Sequence, residues 1–151
     1  MKKQEARRHL GSQHGATAVE FALVAPILFV LVFGIIDFGL GFHAWDASAN
    51  AAREGARVGA VDPSLTDIEA RVRNSANFLD QSKLSVNITC SRDNGGSFNA
   101  CSSDGTTWLE GDIVRVTVTY LHDYVTPLPT FIGAGSTLTL VAVSEARFEG
   151  Q

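Results

Sequence analysis

Two pairs of residues in this sequence have types and a spacing that could support chemistry. Glu20 lies five residues after Gly15, at the start of a long uncharged run. Cys90 and Cys101 lie close together in the polar second half. The first pair places a carboxylate beside an apolar segment, where a charge needs a partner. The second pair is a candidate disulfide.

The two cysteines fit a disulfide better than a metal site. A zinc site needs about four ligands, and none of the four histidines is at ligand spacing from Cys90 or Cys101. A disulfide persists in oxidising surroundings, so it is the better interpretation if this half of the chain lies outside the cytoplasm. Two free buried thiols are the alternative. Closing so short a loop could stabilise the fold by up to about 3 kcal/mol.

Glu20 lies at the edge of a segment that can cross a membrane. Residues 21–36 carry no charge, and as a helix they reach about 24 Å, slightly less than a hydrocarbon core of about 30 Å. Extending the helix to residue 42 supplies the length and places Glu20 and Asp37 at the edges of the bilayer. Trp45 then lies near the far interface. A buried helix of a soluble protein is the alternative, but a small domain could hardly cover such a segment on every side.

The charge that flanks this helix predicts its orientation and the organisation of the chain. Four lysines and arginines lie within residues 2–8, ahead of the apolar run, so the N-terminus should stay in the cytoplasm. We therefore expect a cytoplasmic basic leader at residues 1–15, a transmembrane helix at residues 16–45, and an extracytoplasmic domain at residues 46–151.

The residues around Gly15 resemble the processing site of type IV pilin precursors. That signal has a basic leader that ends in glycine, a glutamate at the fifth mature position and an aromatic residue at the sixth. Gly15, Ala16, Glu20 and Phe21 match it. The resemblance implies that a prepilin peptidase cleaves after Gly15, and that Glu20 attracts the terminal amine of a neighbouring subunit. Ala16 and Glu20 are four residues apart, so they share one helical face.

A narrower resemblance is to the TadE-like pseudopilins of the tight-adherence pilus system. It rests on residues 20–26 (EFALVAP), 37–39 (DFG) and 49–57 (ANAAREGAR). Major pilins of that system are much shorter, so the length of this chain favours a minor pseudopilin. The implied partners are membrane lipid, the prepilin peptidase, other pilins or pseudopilins and the inner-membrane assembly platform. The implied location is the bacterial inner membrane, or a surface pilus assembled from it.

Two other interpretations of the N-terminal region remain open. Residues 47–49 form an A-x-A triplet after an apolar run with a basic front, as in an ordinary secretory signal. The other interpretation is an uncleaved anchor that tethers an extracytoplasmic binding or sensing domain. A tether has no use for Gly15 or Glu20, which distinguishes it from a pseudopilin. The first residue of the mature protein separates all three interpretations.

The rest of the sequence predicts a small α+β domain. The first helix should continue past Trp45 with small residues every four positions. Its Gly55 and Gly59 form a GxxxG outside the apolar run, best explained by packing on the helix's own domain. Residues 62–64 (DPS) break the helix, and a second one should run from there to about Leu79.

Alternation of apolar and polar residues then predicts half-buried strands at residues 84–90, 114–120 and 137–147. Pro127 and Pro129 predict a stiff connection before the last strand. The expected fold is therefore a long N-terminal membrane-spanning helix that continues into a small extracytoplasmic domain, with a second helix and a mainly antiparallel sheet.

The sequence shows no catalytic, cofactor-binding or metal site. It has no G-x-S-x-G elbow, no H-E-x-x-H and no phosphate loop. His122 and Asp123 are best interpreted as a solvated strand end. The net charge is −4 and the only basic cluster is at the N-terminus, which argues against nucleic-acid binding. We therefore expect a structural protein with no cofactor, not an enzyme.

Overall fold

The computed structural model describes residues 5–92, 94–101 and 108–150, with side chains described from Gly15 onward. These residues form a long helix, a short second helix and a four-stranded antiparallel sheet, which confirms the predicted α+β class. In chain order the elements are α1 (Glu5–Gly59), α2 (Leu65–Ser75), β1 (Leu84–Ser91), β2 (Asn99–Ala100), β3 (Ile113–Asp123), α3 (Leu128–Phe131) and β4 (Thr137–Arg147).

The sheet has the strand order β2-β1-β3-β4, and every neighbouring pair is antiparallel. The three long strands coincide with the alternating runs of the sequence, extended by a few residues. Because side chains alternate between the two faces of a strand, one face of β3 carries a row of buried residues. They are Val114, Val116, Val118 and Tyr120. This row packs against α1 and α2 and forms the centre of the core.

Helix α1 packs on the sheet only through its C-terminal part. Its buried residues there are almost all small, and they fall on two adjacent stripes: Ala44, Ala47, Ser48, Ala51, Ala52 and Ala56. Small side chains let the helix backbone approach the sheet and α2 closely. The predicted repeat of small residues therefore packs the helix on its own domain.

The GxxxG pair lies at the point of closest approach. A Cβ atom added to Gly55 would collide with the Val72 side chain of α2. One added to Gly59 would lie 2.9 Å from Val114 Cγ1 of β3. The absence of a side chain at both positions is thus required by contacts inside the domain, as the sequence analysis favoured.

Helix α2 begins where predicted but ends earlier. The Ser64 hydroxyl accepts a hydrogen bond from the Asp67 backbone N–H at 3.3 Å, which caps the first turn. The helix ends at Ser75 rather than near Leu79. The Gln81 side chain donates to the Ala76 and Leu79 carbonyls at 2.8 and 3.1 Å. Those bonds satisfy the carbonyls in a compact turn, so a further helical turn is not needed.

Candidate functional site

The residues of the predicted processing segment lie together on the N-terminal part of α1. Gly15, Ala16, Glu20 and Phe21 are all exposed. A Cβ atom on Gly15 would meet no described atom within 4 Å. Ala16 and Glu20 lie one turn apart on a continuous helix. Another protein can therefore reach this segment, and cleavage after Gly15 stays a prediction.

The segment that follows presents apolar side chains in every direction around the helix. Phe21, Leu23, Ile27 and Ile35 are each more than 60% exposed, and the sheet and α2 do not cover them. Among the described residues, α1 is the one helix long and apolar enough to cross a membrane. Burying this surface requires lipid or other helices, because exposed apolar area of this extent is unfavourable in water.

Asp37, which follows the apolar run, is buried by a loop of the chain's own domain. Its Oδ1 accepts hydrogen bonds from the backbone N–H groups of Val125 and Thr126 at 2.9 and 3.1 Å. Its Oδ2 accepts one from the Thr126 hydroxyl. The residue is only 6% exposed. Three donors offset the cost of removing this carboxylate from water. The sequence predicts Asp37 at a bilayer edge but contains no sign of this partner.

His122 faces the same helix, so its interpretation as a solvated strand end is wrong. The residue continues the alternation of β3, in phase with the buried row that ends at Tyr120. Its ring lies beside Gly41 of α1, and its buried Nε2 has no hydrogen-bond partner among the described residues. Asp123 points the other way and pairs with Lys83. That hydrogen bond raises the pKa of the Lys83 ammonium above its ordinary value.

An apolar groove of about 420 Å³ lies between α1 and the connection that joins β3 to β4. One wall comes from α1 and the other from the connection and the start of β4. Its main side chains are Phe38, Phe42, Trp45, Tyr124, Ile132 and Leu138. The bonds to Asp37 lie at the end of this groove, so they fix the position of the connection along the helix.

The cysteines lie in the sheet, away from the apolar helix. Cys90 of β1 and Cys101, which follows β2, are bonded in the structure, with their Cα atoms 5.0 Å apart. Cys90 pairs with Asn99 across the two strands. The bridge therefore ties the two-residue strand β2 to the sheet. Among the described side chains, no group of three or more His, Cys, Asp or Glu residues lies close enough to hold a metal ion.

Residues 15–57 match the family model described as TadE-like protein. The match begins at the predicted processing glycine and runs to the last turn of α1, and it confirms the resemblance found in the sequence. The chain is thus consistent with a TadE-like, pilin-related protein, a kind that is generally structural rather than catalytic. No curated protein and no solved structure matches the chain. The helix and the family together point to the membrane and to pilus components as partners.

Proposed function

We propose that this TadE-like chain is a minor pseudopilin that acts in the assembly of a tight-adherence pilus. One observation carries the proposal: the family match covers residues 21–36 of α1, which are apolar on all sides of the helix and almost all exposed. A membrane covers that surface before assembly, and the helices of neighbouring pilins cover it afterwards. The role is structural, since the helix contributes packing surface and charge.

The N-terminal residues supply the charge. Cleavage after Gly15 by a prepilin peptidase leaves a free amine on Ala16, and Glu20 lies one turn further along the helix. The Glu20 carboxylate of one subunit then attracts the Ala16 amine of the next. In a weakly screening medium this attraction is stronger than in water.

The proposed orientation places the leader in the cytoplasm and the domain outside the inner membrane. Three features support it. The lysines and arginines at residues 2–8 precede the helix. The Cys90–Cys101 bridge is suited to an oxidising compartment. The chain also packs as a domain only beyond about Ala44, on the far side of the apolar segment from the leader.

Substitution of Glu20 tests the proposal. Glu20→Gln keeps the size of the side chain and removes its charge, so the protein should be made, inserted and cleaved, yet fail to join a filament. We expect cross-linking from α1 to co-expressed pilins to fall by roughly tenfold, which corresponds to about 1.4 kcal/mol. Glu110→Gln, at an exposed glutamate on the far side of the domain, is the matched control and should cross-link like the wild type.

Normal cross-linking and normal piliation by Glu20→Gln would contradict the assembly role. A membrane-tethered domain would then account better for the chain, because a tether needs only the hydrophobicity of the helix. Loss of membrane insertion in the same variant would also contradict the proposal. Removing a charge from a membrane edge should make insertion easier or leave it unchanged.

A further inference from the structure

The connection between β3 and β4 ends in an exposed apolar tip, defined here as residues 125–135. It carries Phe131, Ile132 and Val125, whose exposed fractions are 85, 72 and 68%. No charged residue occurs from Tyr124 to Ser144. An uncharged protrusion with its largest side chains pointing outward is unfavourable in water and suits an apolar environment.

The structure fixes the level of this tip along α1. The hydrogen bonds from Val125 and Thr126 to Asp37 attach one end of the tip to the helix. Pro129 and Ile132 of the tip line the groove together with Gly34, Phe38 and Gly41 of α1. The tip therefore lies alongside residues 34–42 of the helix.

The length of helix α1 gives the depth of the tip in the membrane. A hydrocarbon core of about 30 Å corresponds to about twenty helical residues. Counted from Glu20 at the cytoplasmic edge, the core ends near residue 40. We propose that the tip inserts into the extracytoplasmic leaflet of the membrane, beside the transmembrane helix. This inference rests on the membrane placement given under the proposed function.

The backbone of the tip is also suited to lipid. Bilayer interiors offer no water, so backbone donors must be satisfied within the protein. Phe131, Ile132, Gly133 and Ala134 donate to carbonyls of the tip and of Pro127 just before α3, at 2.8–3.2 Å. Val125 and Thr126 donate to Asp37. The two prolines of the tip have no N–H group.

Quenching of tryptophan fluorescence by brominated lipid measures this insertion. The background is the full chain with Trp45→Phe and Trp108→Phe, and each variant adds one tryptophan: Phe131→Trp in the tip, Leu31→Trp in the helix or Leu109→Trp in the domain. The protein is reconstituted at low density in phosphatidylcholine–phosphatidylglycerol vesicles of two kinds, with bromine on the acyl chains either near the headgroup or near the bilayer centre.

Leu109 is the matched control because it is apolar, 60% exposed and outside the groove. Its turn bonds to Phe148, and the next residue, Glu149, donates to the Ala60 carbonyl beyond the end of α1. Ala60 is about 30 Å past residue 40 along the helix axis. We expect bromine to lower the emission of Phe131→Trp and Leu31→Trp about twofold or more and to leave Leu109→Trp unchanged.

The three variants separate failure of this inference from failure of the proposed function. Quenching of Leu31→Trp without quenching of Phe131→Trp would overturn the inference and leave the membrane helix in place. Absence of quenching in both would overturn the membrane placement itself. A Phe131→Trp emission that is not quenched at low density but changes as protein density rises would show that a second copy, not lipid, covers the tip, and would also overturn the lipid assignment.

Discussion

Two carboxylates flank the apolar segment of α1, and their surroundings differ. Asp37 is buried and accepts three hydrogen bonds from Val125 and Thr126. Glu20 is exposed on a part of the helix that the domain does not cover. A charge satisfied within its own chain stabilises the fold. An exposed charge at a membrane edge is available to a partner, and for that reason Glu20, not Asp37, is the residue assigned to assembly.

Removal of the Asp37 carboxylate should loosen the connection after β3. Asp37→Ala leaves the Val125 and Thr126 donors without their acceptor, at a cost of about 1–3 kcal/mol. Amide hydrogen exchange of the full chain in detergent should show those two amides losing protection, with little change in the centre of β3. Asp46→Ala is the control, since Asp46 lies on the same helix and is exposed. Equal protection in both variants would show that the Asp37 bonds do not hold the connection.

At the scale of elements, α1 has two parts with different surroundings. Residues 21–36 are apolar all round, whereas the C-terminal part, from about Ala44, carries small side chains and packs on the sheet and α2. Gly55 and Gly59 belong to the second part. Their close contacts with Val72 and Val114 explain why a GxxxG occurs where no membrane dimer is expected.

Alanine substitution of Gly55 should therefore destabilise the domain. Alanine favours a helix over glycine by about 1 kcal/mol, but overpacking against Val72 costs about 1–3 kcal/mol. We expect a net loss of up to about 2 kcal/mol, seen as a lower midpoint of thermal unfolding by circular dichroism. Gly39→Ala meets no described atom within 4 Å and should be neutral or stabilising. A Gly55→Ala protein as stable as the Gly39→Ala protein would refute this packing.

The long elements could be predicted from the sequence because each carries a repeated pattern. The uncharged run of α1 and the alternation of β1, β3 and β4 extend over many residues, so many positions support each predicted element. The strand β2 has two residues and α3 has four, which is too few for a period. The predicted stiff connection gave no indication of a helical turn.

The contacts between α1 and the connection that joins β3 to β4 could not be predicted, and the reason is different. Asp37 and Thr126 are 89 residues apart, and no local pattern connects positions so distant in the chain. His122 is an exception, because the alternation of β3 was sufficient to assign its side chain to the face that packs on α1. Its neighbour Asp123 and its position at a strand end favoured the other interpretation.

At the scale of the whole molecule, one continuous helix joins two environments. Its 55 residues extend about 80 Å. The apolar residues 21–36 are suited to lipid or neighbouring helices, and the last part forms a wall of the domain. A force or displacement on the apolar part is therefore transmitted to the domain without a flexible linker. The hydrogen bonds to Asp37 and the side chains that line the groove beside Trp45 attach the domain to the apolar part of the helix at a second place.

The central claim is that the chain is processed as a pilin, and the first residue of the mature protein tests it most directly. N-terminal sequencing and intact mass analysis of protein from the membrane should give Ala16, because the leader ends in Gly15. Gly15→Glu should block cleavage and leave insertion intact, whereas Gly11→Glu, the same change within the leader, should leave cleavage intact. A mature protein that begins at Asn50 would indicate a secretory signal. One that retains Met1 would indicate a plain anchor, and either result would contradict the account.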